Sequence, residues 1–300
     1  MNIGEKIKKL RTEKFMTQTE LAGNQITRNM LSLIEKGKAV PSLQTLLYLA
    51  EKLKVSAGYL LADPAESFFF RKAEKISEIR LAHSQKNDRI CLDLCQNLMA
   101  EAGEDDELNL LAAASSLAVA KEEFFFSRLR NACKMFDKSV MYATRSLYDT
   151  DYIKAEASLY FGYLENLSPS FVSEYVDTSE FMTKSCGYIP CKDDFCRYIL
   201  ALKALETGDK NGIQFYLDYA EGREIPLAKH ILALLCMEKG EFELAANHLT
   251  DILRSDVGIP GAVLYYVFGN LEDCCRKLGN QKNAKLYAEA RVAQFEKFLS

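Results

Sequence analysis

Apolar residues recur at three- and four-residue spacing along almost the whole chain, the period of helices that bury one face. Ile3, Ile7 and Leu10 form the first stripe and predict an amphipathic helix over residues 2–14. Thr17-Gln18-Thr19-Glu20 has capping-box spacing and opens a short helix that ends at the turn formers Gly23 and Asn24. Thr27 caps a second short helix whose stripe is Met30, Leu31 and Ile34, closed by Gly37 and Pro41. Ser42 opens another, with Leu43, Leu46, Leu47 and Ala50 expected to face inward, and a last short helix runs from Ser56 to Leu61.

Beyond the linker Asp63-Pro64 no stretch alternates as a strand would, and proline is rare. Breaks are expected at Asn87, Gly103-Glu104, Asn131, Asp149 to Asp151, Ser168-Pro169, Gly187 to Pro190, Gly208, Gly222, Gly240, Ile259-Pro260 and Gly279. They delimit about a dozen helices of roughly 12–20 residues joined by short turns. The predicted fold class is therefore all-α, with one domain over 1–63 and a second over 64–300.

The second domain repeats itself. Ala201, Ala204, Gly208-Asp209, Ile213, Leu217 and Ala220 overlay Ala233, Cys236, Gly240-Glu241, Ala245, Leu249 and Ile252. A looser copy runs through Glu272, Cys275, Gly279-Asn280, Ala284 and Ala288. In each, glycine makes a turn between two helices and the acid or asparagine after it caps the second. The three glycines are 32 and 39 residues apart, bracketing the 34-residue tetratricopeptide period.

Charge divides the same way. Residues 1–62 hold ten Lys/Arg against five Asp/Glu, a net of +5, while the rest holds 28 against 37, a net of −9. A basic head on an acidic body suits a nucleic-acid-binding module joined to something that does not bind nucleic acid. No apolar run is long enough to span a bilayer and no signal-peptide core opens the chain, so a cytoplasmic protein with no membrane partner is expected.

The head also carries the chemistry for DNA. A polar, Arg-led helix start held by a short companion helix is the layout that enters the major groove. Arg28 suits guanine and Asn29 adenine, with Ser32 beside them, while Gln18, Thr27, Lys36 and Lys38 stand where phosphates would lie. Thr17-Gln18, Glu20-Leu21-Ala22, Ile34-Glu35-Lys36-Gly37 and Pro41-Ser42-Leu43, followed by Leu46 and Ala50, together resemble the five-helix domain of XRE-type regulators. The resemblance covers Asn2 to Leu61 and implies a structural ion pair between Arg11 and Glu35. Two departures stand out. The turn before Thr27 lacks the customary glycine, so Asn24 is expected in its conformation, and Leu33 replaces a polar base-reader, favouring a thymine methyl.

Other chemistries find little. The nine cysteines lack CxxC spacing and there are three histidines, so buried, reduced thiols are expected and no metal or cofactor. A redox thiol among them stays open as the alternative. Phe68 to Phe70 and Phe124 to Phe126 read as packing or dimer residues. No P-loop, GxGxxG or GxSxG occurs and the acids lack partnered bases, which argues against an enzyme.

From about Asp193 the body resembles degenerate tetratricopeptide repeats. A head and body so combined resemble Gram-positive regulators that sense short peptide pheromones. That resemblance implies a homodimer on a palindromic operator in double-stranded DNA, and a short peptide in the concave face of the repeats. The repeat register puts Phe195, Tyr198 and Leu202, then His230, Leu234 and Met237, then Tyr266, Asp273 and Arg276 on that face. Two alternatives stay open: a regulator whose repeats only dimerise or bind a protein partner, and a helical adaptor whose head no longer binds DNA.

Overall fold

The computed structural model of the chain describes residues 2–63, 67–176, 193–223 and 225–299. Pro64, the break at Gly187 to Pro190, Cys186, Cys191 and the Phe68 side chain lie outside the described residues. Among the described residues there are sixteen helices and no strand. The fold is all-α. Contacts divide the chain into one unit of residues 1–86 with 93–104 and another of 87–92 with 105–300.

The first unit begins with α1 (Ile3–Glu13), α2 (Gln18–Ala22), α3 (Arg28–Glu35), α4 (Leu43–Lys52) and α5 (Ala57–Leu61), followed by α6 (Ser67–Ser84). Each of the first five starts on a side chain that accepts a backbone N–H, from Asn2, Thr17, Thr27, Ser42 and Ser56 in turn. Helices this short are unstable alone. They persist because Ile7, Leu21, Leu31, Ile34, Leu49, Leu53 and Leu60 close one core with no side chain more than 1% exposed. The buried Lys6 ammonium donates to Tyr59 O at 2.8 Å and to Ala62 O, tying α1 to the end of α5.

Three expected core positions face outward instead. Met30 is 46% exposed, Leu43 70% and Leu47 52%, whereas Leu49 takes the inward place on α4. A stripe of four apolar residues on a ten-residue helix allows two rotations, and α4 presents Leu46, Leu49 and Ala50 to the core.

Helix α7 (Asp88–Ala102) contributes to both units. The second continues with α8 (Asp106–Phe125), α9 (Leu129–Arg145), α10 (Asp151–Leu167), α11 (Asp194–Thr207), α12 (Lys210–Ala220), α13 (Pro226–Glu238), α14 (Phe242–Leu253), α15 (Gly261–Lys277) and α16 (Gln281–Leu299). Helices α8/α9, α11/α12, α13/α14 and α15/α16 pack as pairs. The last three pairs turn on Gly208, Gly240 and Gly279 at φ of 70°, 80° and 77°, a left-handed conformation that glycine adopts without strain. The repeat seen in sequence is thus three successive helical hairpins. Asp209 caps α12 and Asn280 accepts from Asn283 N, but Glu241 makes no side-chain cap on α14.

The α8/α9 turn departs from expectation. The break falls at Phe126 to Arg128, and Asn131 lies inside α9. Its left-handed residue is Ser127 at φ 65°, a position no glycine announces. This turn also receives the end of the array. Helix α15 packs on α8, and α16 on α9. A β-carbon on Gly261 would fall 1.9 Å from Ser127 Oγ and 2.2 Å from Gln294 Nε2, so these two side chains close directly on the Gly261 backbone.

A buried polar strut joins the middle. Lys121 on α8 reaches Glu156 on α10 and Asp193, and Tyr160 donates to Asp193 at 3.1 Å. Burial raises the Asp193 carboxyl, but Lys121 outweighs it and holds the group below its ordinary range. Glu156, Asp193 and Cys196 could together ligate a cation, within 4.8 Å of one another, but the Lys121 ammonium already bonds both carboxylates.

Candidate nucleic-acid interface and body cavity

Helix α3 owes its orientation to one carboxylate. Arg11 Nε donates to Glu35 Oε1 at 2.6 Å, Arg11 Nη2 to Oε2 at 3.1 Å, and Gln18 Nε2 to Oε2 at 2.8 Å. The third guanidinium nitrogen, Nη1, donates to Met16 O at 2.8 Å, fixing the loop into α2. Burial pushes the Glu35 carboxyl up, yet the bonds from Arg11 and Gln18 outweigh it and hold it below the ordinary range. Gln18, expected on a phosphate, therefore joins α2 to the last residue of α3 and has one amide hydrogen committed there.

With Leu31, Ile34 and Glu35 buried, the opposite arc of α3 faces solvent. At 100° per residue that arc carries Asn29, Ser32, Leu33 and Lys36, while Arg28 stands at the helix start on the side nearer Glu35. Arg28, Asn29, Lys36 and Lys38 are exposed, Leu33 is 43% exposed and Ser32 is half-buried. Thr27 Oγ1 accepts from Met30 N at 3.1 Å, which leaves its own proton to donate outward. Lys38 follows Gly37, whose φ of 68° turns the chain past the helix end.

The turn between α2 and α3 corrects one expectation. Gly23, not Asn24, takes the positive φ, at 53° with ψ −138°, and Asn24 is not among the left-handed residues. The reason is Tyr48, whose hydroxyl donates to Ala22 O at 3.1 Å and occupies the space a side chain at position 23 would need.

Residues 4–66 match the family model described as a helix-turn-helix domain. The N-terminal domain is a helix-turn-helix domain of the XRE type. The remainder of the chain lies outside that match, and no curated protein matches the chain. Among solved structures, PlcR of Bacillus thuringiensis in complex with the peptide PapR7 and DNA is 17% identical. That match covers 99% of this chain and 96% of that one, at a TM-score of 0.27. The apo competence regulator ComR of Streptococcus vestibularis is 17% identical over 97% of each chain, at a TM-score of 0.25. The pheromone receptor Rgg2 of Streptococcus dysgalactiae is 14% identical, covering 86% of this chain and 100% of that one, at 0.22. With superpositions this loose, the character of the body rests on its own hairpins.

Within the helix-turn-helix frame, these exposed residues of α3 stand on the second helix of the motif. In the second unit, the hairpins enclose a cavity of about 350 Å³. Of the nine residues assigned to the concave face, Tyr198, Leu202, His230, Leu234 and Tyr266 line it together. Phe195 instead sits beneath it, 7% exposed, between Phe124, Tyr160, Tyr163 and Tyr198 with ring centroids 5.0–5.6 Å away. Met237, Asp273 and Arg276 are not on the lining. Asp273 and Arg276 are exposed, and Arg276 pairs with Glu272 one turn back.

Sequence reasoning missed the wall from α10, Tyr163 and Asn166, and the polar groups Lys203, Glu206 and Asn270. Asn270 was within reach, one turn after Tyr266 on the same face of α15. The α10 residues carried no signal, because the repeat register begins only at α11.

One polar chain crosses the cavity floor. Asn270 Nδ2 donates to His230 Nε2 at 2.9 Å, so the imidazole proton sits on Nδ1, which lies 2.6 Å from the Tyr198 oxygen that accepts it. Burial pushes His230 down to about 4, and the ring is neutral near pH 7. Burial likewise raises Tyr163 and Tyr198 well above their ordinary values, so both stay protonated. The surface is thus apolar and uncharged at its centre, with Lys203 and Glu206 on the lining.

All seven described cysteines are buried. Burial pushes the Cys133 thiol up to about 12 and Cys274 to about 11, which keeps them protonated and unreactive.

Proposed function

We propose that the chain is a sequence-specific DNA-binding transcriptional regulator that acts in the cytoplasm, with residues 1–63 as the reading head and 64–300 as the sensor. The observation that carries this is the exposed polar surface of α3 and of the loop that follows it. It offers Arg28 and Asn29 for base edges, Leu33 for a thymine methyl, and Lys36 and Lys38 for phosphates, on a helix held by the Arg11–Glu35–Gln18 bonds. One such head makes few base contacts. A homodimer reading two half-sites about 34 Å apart on a palindromic operator supplies the rest.

The body is the sensor, and a short apolar peptide in the cavity between Tyr198, Leu202, Leu234 and Tyr266 is the effector this reading favours. Its lining combines apolar walls with a few convergent polar groups, the usual make-up of a ligand site. A body that only dimerises or binds a protein partner would leave the cavity without a ligand.

The test is selection of bound duplexes from a random pool, followed by salt titration of variants. Arg28→Ala relaxes preference at one base position, worth about 1–3 kcal/mol of discrimination. Lys38→Ala weakens all sequences alike and lowers the salt slope by about one. Unchanged preference and affinity in Arg28→Ala would remove α3 as the reading helix.

A further inference from the structure

A second cavity of the same unit is larger than the one beside Tyr198. It measures about 610 Å³ and lies where the α8/α9 turn meets the start of α15 and the end of α16. Among the described residues its lining carries Arg128, Arg130, Lys134 and Lys297 and no carboxylate. That is unexpected in a part of the chain whose net charge is −9, with 28 basic against 37 acidic residues.

The cations are not balanced from behind. Glu123, 4% exposed, is already met by Arg89 and by Arg128 Nε at 2.7 Å. Arg130 and Lys134, by contrast, have no hydrogen-bond or ion-pair partner among the described residues. They stand one turn apart on α9, and like charges at this spacing repel. A side chain that helps close the cavity tells the same story. Gln294 is 6% exposed, and its oxygen accepts from Lys297 at 3.4 Å. Its amide nitrogen has no acceptor among the described residues and, on the cavity lining, is open to one supplied by a ligand. The rest of the wall is apolar, with Leu129, Leu264 and Phe298.

We infer that this cavity binds a small organic carboxylate with an apolar body, its anionic head held by Arg130, Lys134 and the Gln294 amide, its body against Leu264 and Phe298. Arginine offers the carboxylate a planar fork of donors, and a ligand of this class relieves the repulsion between the two α9 cations. The site is separate from the Tyr198 cavity and does not depend on the function assigned to that one. Such a carboxylate can come from a lipid-derived acid or from the end of an apolar peptide.

Calorimetry on the full chain separates the terms, with octanoate as probe, acetate as the head alone and 1-octanol as the body alone. Octanoate binds at least roughly tenfold tighter than either, because neither half satisfies both walls. In Arg130→Gln/Lys134→Gln octanoate affinity falls by roughly tenfold or more. In Lys282→Gln/Lys285→Gln, which removes the same charge elsewhere on α16, it does not change. Without ligand, the α9 double variant melts no lower than the parent, since a repelling pair has been removed. A tri-leucine peptide as free acid and as amide tells the sources apart. Preference for the free acid over octanoate makes the natural head a peptide terminus, and the reverse makes it a lipid-derived acid. Equal octanoate binding by the parent and the α9 variant, or no binding of octanoate and the free-acid peptide, overturns the assignment.

Discussion

A β-carbon on Gly23 would lie 2.3 Å from the Tyr48 hydroxyl oxygen, the atom that donates to Ala22 O at the end of α2. The turn into the reading helix is therefore specified twice, by a backbone at φ 53° and ψ −138° and by a side chain from α4. Gly23→Ala must strain the backbone, at about 1–3 kcal/mol, and displace Tyr48 as well. In a Tyr48→Phe background the nearest remaining ring atom, Cζ, lies 3.6 Å away and only the backbone term survives. A double-mutant cycle by urea unfolding should show the Gly23→Ala penalty shrinking in that background. Strict additivity would mean that the hydroxyl contact does not specify the turn.

Glu35 offers a second test of how the reading helix is held. Its side chain is 3% exposed and that of Arg11 is 12% exposed, so removing the carboxylate strands a nearly buried guanidinium. Glu35→Ala should destabilise the head by about 3 kcal/mol. The pH dependence has a definite sign. Because Arg11 and Gln18 outweigh burial and depress the carboxyl, its contribution is complete above the unfolded value of about 4.3 and is lost as pH falls through the lower folded value. Unfolding midpoints of the parent and Glu35→Gln should thus differ clearly at pH 7 and converge toward pH 3. A gap that stays constant with pH would assign the stabilisation to packing.

How much of this could be read from residues alone depends on where the determining contact lies. The capping box at Thr17 and the Gly208, Gly240 and Gly279 turns are local, and each left its mark in sequence. The identity of the left-handed residue before α3 was not local, since Tyr48 decides it from 25 positions away. Leu43 and Leu47 face outward because a stripe of four apolar residues fits two rotations of α4, and only the surrounding core selects one. At Ser127 a polar residue adopts a conformation usually marked by glycine, so the α8/α9 break was displaced to Asn131. The same turn borders the cationic cavity, which joins α9 to α16 across more than a hundred residues and leaves no pattern along the chain.

His230 makes the body pH-sensitive in a predictable direction. Burial lowers its value from about 6.5 to about 4, so below pH 6.5 the unfolded chain takes up a proton that the folded chain refuses. The stability it contributes is present above pH 6.5 and is lost as pH falls through 4, a change of about 3 kcal/mol. His230→Gln removes this component and should flatten stability between those limits, although it lowers stability at pH 7 by breaking the bonds to Tyr198 and Asn270. Equal pH slopes for parent and variant would show that the imidazole can be protonated in place.

The peptide reading can be separated from the protein-partner reading at the cavity itself. Leu202 and Leu234 project into it from α11 and α13, whereas Arg276 is exposed on α15 and paired with Glu272. A carboxylate introduced at either leucine would be buried against apolar ligand atoms without a counter-ion, which costs several kcal/mol. Leu202→Asp and Leu234→Asp should therefore weaken an apolar peptide by at least roughly tenfold, while Arg276→Ala changes affinity by less than about twofold. Circular dichroism confirms that each variant keeps its helices. If Arg276→Ala abolished binding and both leucine variants retained it, the peptide would lie along the outer end of α15. If no short peptide from a broad library bound the parent chain, the body would serve dimerisation or a protein partner, with the DNA-reading head unchanged.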